Sequence, residues 1–578
     1  MDQRRLFITI LASIGIMVGW QYLVRPYLPH PPAPPPPVAG TAAPAGQTNA
    51  ALPTGAVVTG NAAQAPVSAE VPRLPVSGTK VSGSISLLGA RIDDLVLDDY
   101  RDTLAPDSPK VHLLAPRGSG APYFAQYGWS APQGSNVKVP DDSSVWTASA
   151  PALHTGQPVT LSWDNGAGLT FQIKLSLDDH YMFAVQQSVK NTTGQPVTLL
   201  PYQRIRREYE PESSGYYVLF EGLIGVSGGT VHEMKYTEAK STGDKAGGVA
   251  YENASNGGWA GFTDKYWLAA LIPDDAQSTD LRFVHNDSGY QIDYHPAAEQ
   301  SVPPGGEAST DSHLFAGAKV VSLLSAYETN QHIALFDYAV DWGWFWFITR
   351  PFFAAIDWIY AQTGNFGVAI LVFTVCVKAL FFPLANFSYR SMGRMKLLAP
   401  KIAELKERFK DDPQKQQSEM MQLYKAEKVN PASGCLPMLL QIPVFFSLYK
   451  VIFVTIEMRH APFFGWIHDL SAVDPTNVFN LFGLIPFDPT QISGFLHLGA
   501  WPLIMGVTMF LQQQLNPAPP DPVQARLFKF MPIVFTFMLA KFPAGLVIYW
   551  SWNNLLSIGQ QWLIQRQARL PRPDLART

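Results

Sequence analysis

Residues 6–24 are an uncharged apolar stretch directly after Arg4 and Arg5, about the ~20 residues a helix needs to cross a bilayer. Backbone inside lipid must satisfy its own hydrogen bonds, so such a segment is committed to helix. A cleaved leader would have a shorter apolar core and a small-residue cleavage site. Trp20, Tyr22, Arg25 and Pro26 follow instead, so residues 1–25 read as an uncleaved transmembrane anchor. With Arg4 and Arg5 kept in the cytoplasm, the chain emerges outside. The other long apolar stretches all lie beyond residue 363, with spans expected at 364–385, 435–457, 496–515, 528–543 and 544–564. That makes six spans, with both termini in the cytoplasm.

Residues 331–363 test this count. They are rich in Trp and Phe but carry Asp337, Asp341, Arg350 and Asp357, with Pro351 in the middle. This charge density suits a helix lying in the headgroup region, where Trp is favoured. As a true span it would put the basic loop 386–434 and the basic tail 565–578 outside. The loop 458–495, by contrast, holds the single basic side chain Arg459. The positive-inside rule therefore favours an interfacial amphipathic helix.

Residues 26–79 are dominated by Pro and Ala and read as an extended linker without a core. From 80 to 330 the pattern changes to short alternating runs, for example Phe171, Ile173, Leu175 and Leu177 against Gln172, Lys174 and Ser176. That is the period of half-buried strands. The turn at residues 191–194 has candidate strands on both sides, and recurring Gly and Pro predict a large antiparallel sandwich. Seven scattered histidines there lack metal or nucleophile spacing, and no glycine-rich phosphate loop occurs. Pairs such as Asp93-Asp94 and Asp178-Asp179 read as solvated turn carboxylates. A net charge of −4 gives no global basic field for nucleic acid, and two cysteines exclude a disulfide scaffold. Neither a cofactor nor a metal is expected.

In the basic loop 386–434, Met395, Leu398, Ile402, Leu405 and Phe409 share one helical face, Pro413 opens a second helix, and Met420, Leu423 and Tyr424 supply its stripe. The result is a helical hairpin with basic outer faces. It is either a connector beside anionic lipid or a docking arm, and spacing does not choose between them. Lys378, Lys450 and Lys541 fall within expected spans. Lys450 and Lys541, nearer the outer ends, are expected to snorkel; for Lys378 snorkelling and a functional role weigh equally. Around Lys378, Thr374, Gln441, Asn553, Ser557 and Gln560 among other polar side chains are compatible with a cavity wet on the cytoplasmic side.

The run YKAEKVNP at 424–431, then Gly434, Cys435 and Pro437, then Gln441 and Pro443, resembles the bacterial YidC membrane protein insertases. The likeness continues through WIHDLS at 466–471, MGVTMF at 505–510, FMPIVF at 530–535 and FPAGLV at 542–547. Gly258-Trp259 and Tyr266-Trp267 are local echoes in the outer domain. The resemblance implies a polytopic α-helical membrane protein of the bacterial inner membrane. Six spans are expected, five forming the core, with a large all-β periplasmic sandwich domain similar to carbohydrate-binding folds. It also implies a hydrophilic groove open to cytoplasm and lipid. Lys378 stands where the family carries an arginine, keeping the charge without the planar fork. Thr374 matches a groove position one turn earlier, and Gln441, Tyr549 and Trp550 complete the expected substrate groove. Arg394, Lys396, Lys401, Lys406 and Arg408 are the expected docking cations of the hairpin. The implied partners are nascent membrane proteins, the Sec translocon, the ribosome with the signal-recognition targeting machinery, and the phospholipid bilayer, without nucleic-acid specificity. The implied activity is non-enzymatic insertion and folding of inner-membrane proteins, alone or with the Sec translocon. The rival reading, a secondary transporter or channel with a periplasmic regulatory domain, requires paired intramembrane charges or inverted repeats; neither is evident.

Overall fold

The computed structural model describes residues 71–211, 219–410, 412–427, 436–492, 496–515 and 522–569. The expected anchor, residues 26–70 of the expected linker and most of the basic tail lie outside them, as do residues 428–435 of the motif run.

Alternation builds the first half. In strand Leu169–Leu177 the odd positions are buried while Lys174 is exposed, as on a pleat with one face against a core. Such strands form two sheets, one of eleven strands and one of nine. Pairing is almost wholly antiparallel, with Arg73–Ser77 and Leu153–His154 as a parallel exception. The first strand, Arg73–Ser77, begins inside the stretch expected as linker: Leu74 and Val76 are buried between more exposed neighbours, an alternation too short to stand out beside the Pro-rich run. Strands Met182–Asn191 and Val197–Arg207 flank the expected turn but do not pair with each other. The first pairs with Leu169–Leu177 and Glu307–Ala318, the second with Tyr123–Ser130 and Gly289–Pro296, so the turn hands the chain from one layer to the other. Buried Asn191 holds this corner, donating to the carbonyls of Gln195 (2.9 Å) and Val302 (3.0 Å) and accepting from the Thr193 amide (2.9 Å).

Helix α1 (Tyr236–Gly243) belongs to the sandwich and α2 (Val321–Asn330) follows its last strand. Eight further α-helices follow among the described residues: α3 (Trp346–Thr363), α4 (Phe366–Leu380), α5 (Phe382–Arg408), α6 (Pro413–Ala426), α7 (Leu436–Val454), α8 (Ala500–Leu515), α9 (Pro522–Leu539) and α10 (Ala544–Arg569). The count of six spans is not confirmed. Among the described residues no single helix is long and apolar enough to cross a membrane, and only α4 with the first part of α5, bent by 66°, passes together. The stretch expected as one span at 364–385 is broken at Phe381, and the 15 residues of α4 reach roughly 22 Å, against a hydrocarbon core of roughly 30 Å. Helix α3 is two-faced, with Phe353, Ile356 and Ile359 buried and Trp346, Phe347 and Trp358 exposed.

Sandwich and helices share one hydrophobic cluster, and polar contacts cross the same joint. The Phe220 amide donates to Asp341 (2.8 Å), the Val321 amide at the start of α2 donates to Glu457 (2.9 Å), Tyr266 donates to the Ser471 hydroxyl (3.2 Å), and Arg459 donates to the Arg101 and Asp102 carbonyls. Lys450, expected to snorkel, instead donates to Asp341 at 2.6 Å, with both side chains largely buried. Asp341 is 109 residues away in sequence, so periodicity within the span could not reveal it.

Candidate functional site

The site forms where α4, α5, α7 and α10 surround an open cavity. Local sequence sets the frame. Asn365 caps α4 by accepting from the Val368 amide (3.1 Å), and from there Thr374 and Lys378 fall one helical turn apart on the same face. The mixture of apolar and polar residues on α10 gives the opposite wall: Tyr549, Asn553, Ser557 and Gln560 recur at spacings of three and four.

Four of the five expected groove residues line the cavity together: Thr374, Lys378, Gln441 and Tyr549, joined by Asn553 and Gln560. The amine of Lys378 donates to the Ser557 hydroxyl at 2.8 Å, Ser557 donates in turn to the Asn553 carbonyl at 2.7 Å, and Gln560 donates to the Lys378 carbonyl at 3.3 Å. Among the described residues no carboxylate lies within ion-pair distance of Lys378. Its charge is therefore answered by the Ser557 hydroxyl rather than by an acid, and an incoming carboxylate would gain a strong, charge-assisted partner. Gln441 donates to the Tyr549 hydroxyl at 2.6 Å, tying α7 to α10 across the cavity. Thr374 is buried and donates to the Ile370 carbonyl at 2.6 Å, so its donor is used within α4.

Trp550 is not among the lining residues. The next residue on α10 after Tyr549, it points elsewhere and packs on Phe445, with ring centroids 4.5 Å apart. Tyr389 of α5 lines the cavity and was not singled out; it sits at the boundary between an apolar stretch and a basic loop, where the pattern announces neither. The α10 residues Asn553, Ser557 and Gln560 stood out as polar side chains within an apolar stretch, and their helical spacing was the signal that would have joined them to Lys378.

The hairpin closes on its apolar stripe: Leu398 and Ile402 of α5 pack with Tyr424 of α6, flanked by Met395, Met420 and Leu423. Asp412 accepts from the Lys415 amide (3.1 Å) and Pro413 takes the first position of α6. Of the expected docking cations, Lys401 pairs with Glu427 at 2.7 Å and Arg408 with Glu404 at 2.9 Å. Arg394 is exposed and Lys406 half-buried, and Lys396 lies on α5. The hairpin cations are thus partly compensated on their own surface. Among the described residues no group of His, Cys, Asp and Glu could hold a metal ion.

The description of the YidC periplasmic domain family matches residues 73–355, and that of the 60Kd inner membrane protein family matches residues 358–571. A membrane protein insertase YidC of Granulibacter bethesdensis is 62% identical over the whole of both chains. One of Acidiphilium cryptum is 54% identical over 86% of this chain and 84% of the relative. A solved structure of an active YidC insertase, its first transmembrane domain resolved, is 18% identical with a TM-score of 0.34, over 85% of this chain and 94% of that one.

Proposed function

Because the chain belongs to the YidC family of membrane protein insertases, we propose that the cavity beside Lys378 receives the polar segment of a client protein while its apolar segment passes into lipid. The activity is membrane protein insertion, not covalent chemistry, and its clients are nascent membrane proteins. A polar tail must otherwise cross ~30 Å of hydrocarbon. A cavity whose polar side chains are Lys378, Gln441, Asn553 and Gln560 beside Thr374, Tyr389 and Tyr549 shortens that path by offering hydrogen bonds part-way. The amine of Lys378 attracts acidic tails, and burial of the client's apolar span in the bilayer drives release. The observation that carries this reading is the Lys378 amine beside an open cavity of mixed polar and apolar lining, bonded to the Ser557 hydroxyl and, among the described residues, paired with no carboxylate.

In the finer topology six spans are counted, five of them forming the core, with both termini in the cytoplasm. Helix α3 lies in the outer interface, and the α5–α6 hairpin faces the cytoplasm, where it meets the ribosome and targeting machinery. The Sec translocon is a partner for part of the clients. The concentration of Lys and Arg in residues 386–434 supports this orientation.

Reconstitution of the purified chain in liposomes with a single-span client bearing an acidic tail tests the cavity. Protease protection of the tail is expected with the native chain and with Lys378→Arg, and is expected to be lost with Lys378→Ala. Full protection with Lys378→Ala would remove Lys378 from the mechanism.

A further inference from the structure

Between α7 and α8 the chain leaves the helices and returns at the same end, and the foot of this excursion is closely built. Asp474 is buried and accepts from Trp466 Nε1 (3.1 Å), the Thr476 amide (3.0 Å) and the Thr476 hydroxyl (2.7 Å). Its second oxygen accepts from the Trp501 amide (2.8 Å) in the first turn of α8. Asn477 donates to the Leu496 carbonyl (2.8 Å) and the Val478 amide to the Leu498 carbonyl (2.9 Å), which closes the neck of a loop. Gly499 fits only without a side chain, since a Cβ there would stand 2.7 Å from Asp474.

Beyond the neck the chemistry reverses. Leu481, Phe482, Leu484, Ile485, Phe487 and Ile492 are all exposed, Leu484 to 83%. From 478 to 492 the only charged residue is Asp488. Leu481 and Phe482 hold φ of 52° and 59°, left-handed values that bulky residues adopt at an energetic cost. In water, strain that keeps apolar side chains outward is opposed by the hydrophobic effect; it is offset only where something apolar covers them.

The neck identifies what covers them. It is bonded to the first turn of α8, and from that turn α8 carries an outward stripe of Ile504, Val507 and Leu511 at helical spacing, all exposed. On a membrane protein insertase such a stripe faces hydrocarbon, and the loop extends the same apolar surface past the helix end. Without a cation the loop has nothing to hold it at anionic headgroups. We infer that residues 478–492 form a lipid anchor whose tip, from Leu481 to Phe487, inserts among the acyl chains of the leaflet at the amino-terminal end of α8. The closed neck then fixes the depth of α8, and with it one wall of the helical bundle, against the bilayer surface. This rests on membrane residence of the family and not on the role of Lys378.

The test uses the full chain in phospholipid vesicles, with Cys376→Ala and Cys435→Ser to remove native thiols and a nitroxide at Leu484→Cys or Ile492→Cys. Both positions are exposed, so neither label displaces packed neighbours. Gln133→Cys on the sandwich surface is the aqueous reference. Collisions with lipid-soluble oxygen are expected to exceed those with a water-soluble nickel chelate at Leu484 and Ile492, with the order inverted at Gln133. Chelate access at Leu484 and Ile492 equal to that at Gln133 would overturn the anchor. So would shielding from both reagents, which would mean that protein covers the tip, either a second copy or a client. The insertion assay is independent of this readout, so failure of the anchor and failure of the cavity are told apart.

Discussion

Lys378 and Lys450 are both lysines within apolar helices, and their surroundings give them opposite meanings. Lys450 is answered by Asp341, which also accepts from the Phe220 and Gly343 amides; it is a structural ion pair. Removing one member of a buried pair leaves the other charge stranded. Lys450→Met is therefore expected to destabilise the chain by about 3 kcal/mol, the low end for such pairs because two amides still serve Asp341. Combining it with Asp341→Asn is expected to cost less than the sum of the two single changes, as read from thermal unfolding in detergent. Lys319 offers a test in the sandwich. Burial pushes its amine down to about 8 from 10.5, while it donates to the Thr263 hydroxyl (2.9 Å) and the Asp264 carbonyl (2.6 Å). Below pH 8 the amine is charged in both folded and unfolded chains, and the burial cost is present in full. Between pH 8 and 10.5 the folded form sheds its proton while the unfolded form keeps it, so stability should rise with pH, by on the order of 3 kcal/mol. The Lys319→Met variant should flatten that rise in denaturant titrations across the window.

At the level of elements, what was legible was local. The alternation of Phe171, Ile173 and Leu175 predicts strand Leu169–Leu177, and the stripe from Met395 to Phe409 predicts the packed face of α5. Asp412 and Pro413 announce the start of α6, and the cap is expected to matter: Asp412→Ala should cost about 1 kcal/mol and speed amide exchange in the first turns of α6 while α5 stays protected. What depends on partners distant in sequence was illegible. The turn at 191–194 is visible as a turn, yet nothing near it says that its two strands join different sheets. The groove was legible residue by residue, through polar side chains in apolar stretches, but not as an arrangement. Whether Tyr549 or its neighbour Trp550 meets Gln441 depends on the rotation of α10 against α7, and only Tyr549 does. Helix lengths misled as well, because hydropathy sums across the bend at Phe381 as though 364–385 were one straight rod.

For the whole molecule, sandwich and helices share one hydrophobic cluster, and the polar contacts that cross the same joint come from widely separated residues. Tyr266 meets Ser471 across 205 positions, and Arg459 reaches the Arg101 carbonyl across 358. All the strand pairing lies before Asn330, so a chain ending there is expected to keep a folded but less stable sandwich, because Trp259 and Phe315 lose the Phe336 ring; cooperative unfolding and a protease-resistant fragment beginning near Arg73 would show it, and loss of both would mean that the sandwich does not fold without the helices. The joint also has a consequence in time. At about 5–20 residues per second of synthesis, roughly 20 to 70 s separate the appearance of Arg101 from that of Arg459. For the last part of that interval, once the strand ending at Ala318 is in place, the sandwich waits without its partner while α3, α4 and the hairpin are still being made. A nascent chain stalled between Asn330 and Ser471 would thus carry a finished outer domain on an unfinished machine, and the clasp by Arg459 marks the moment at which the two become one.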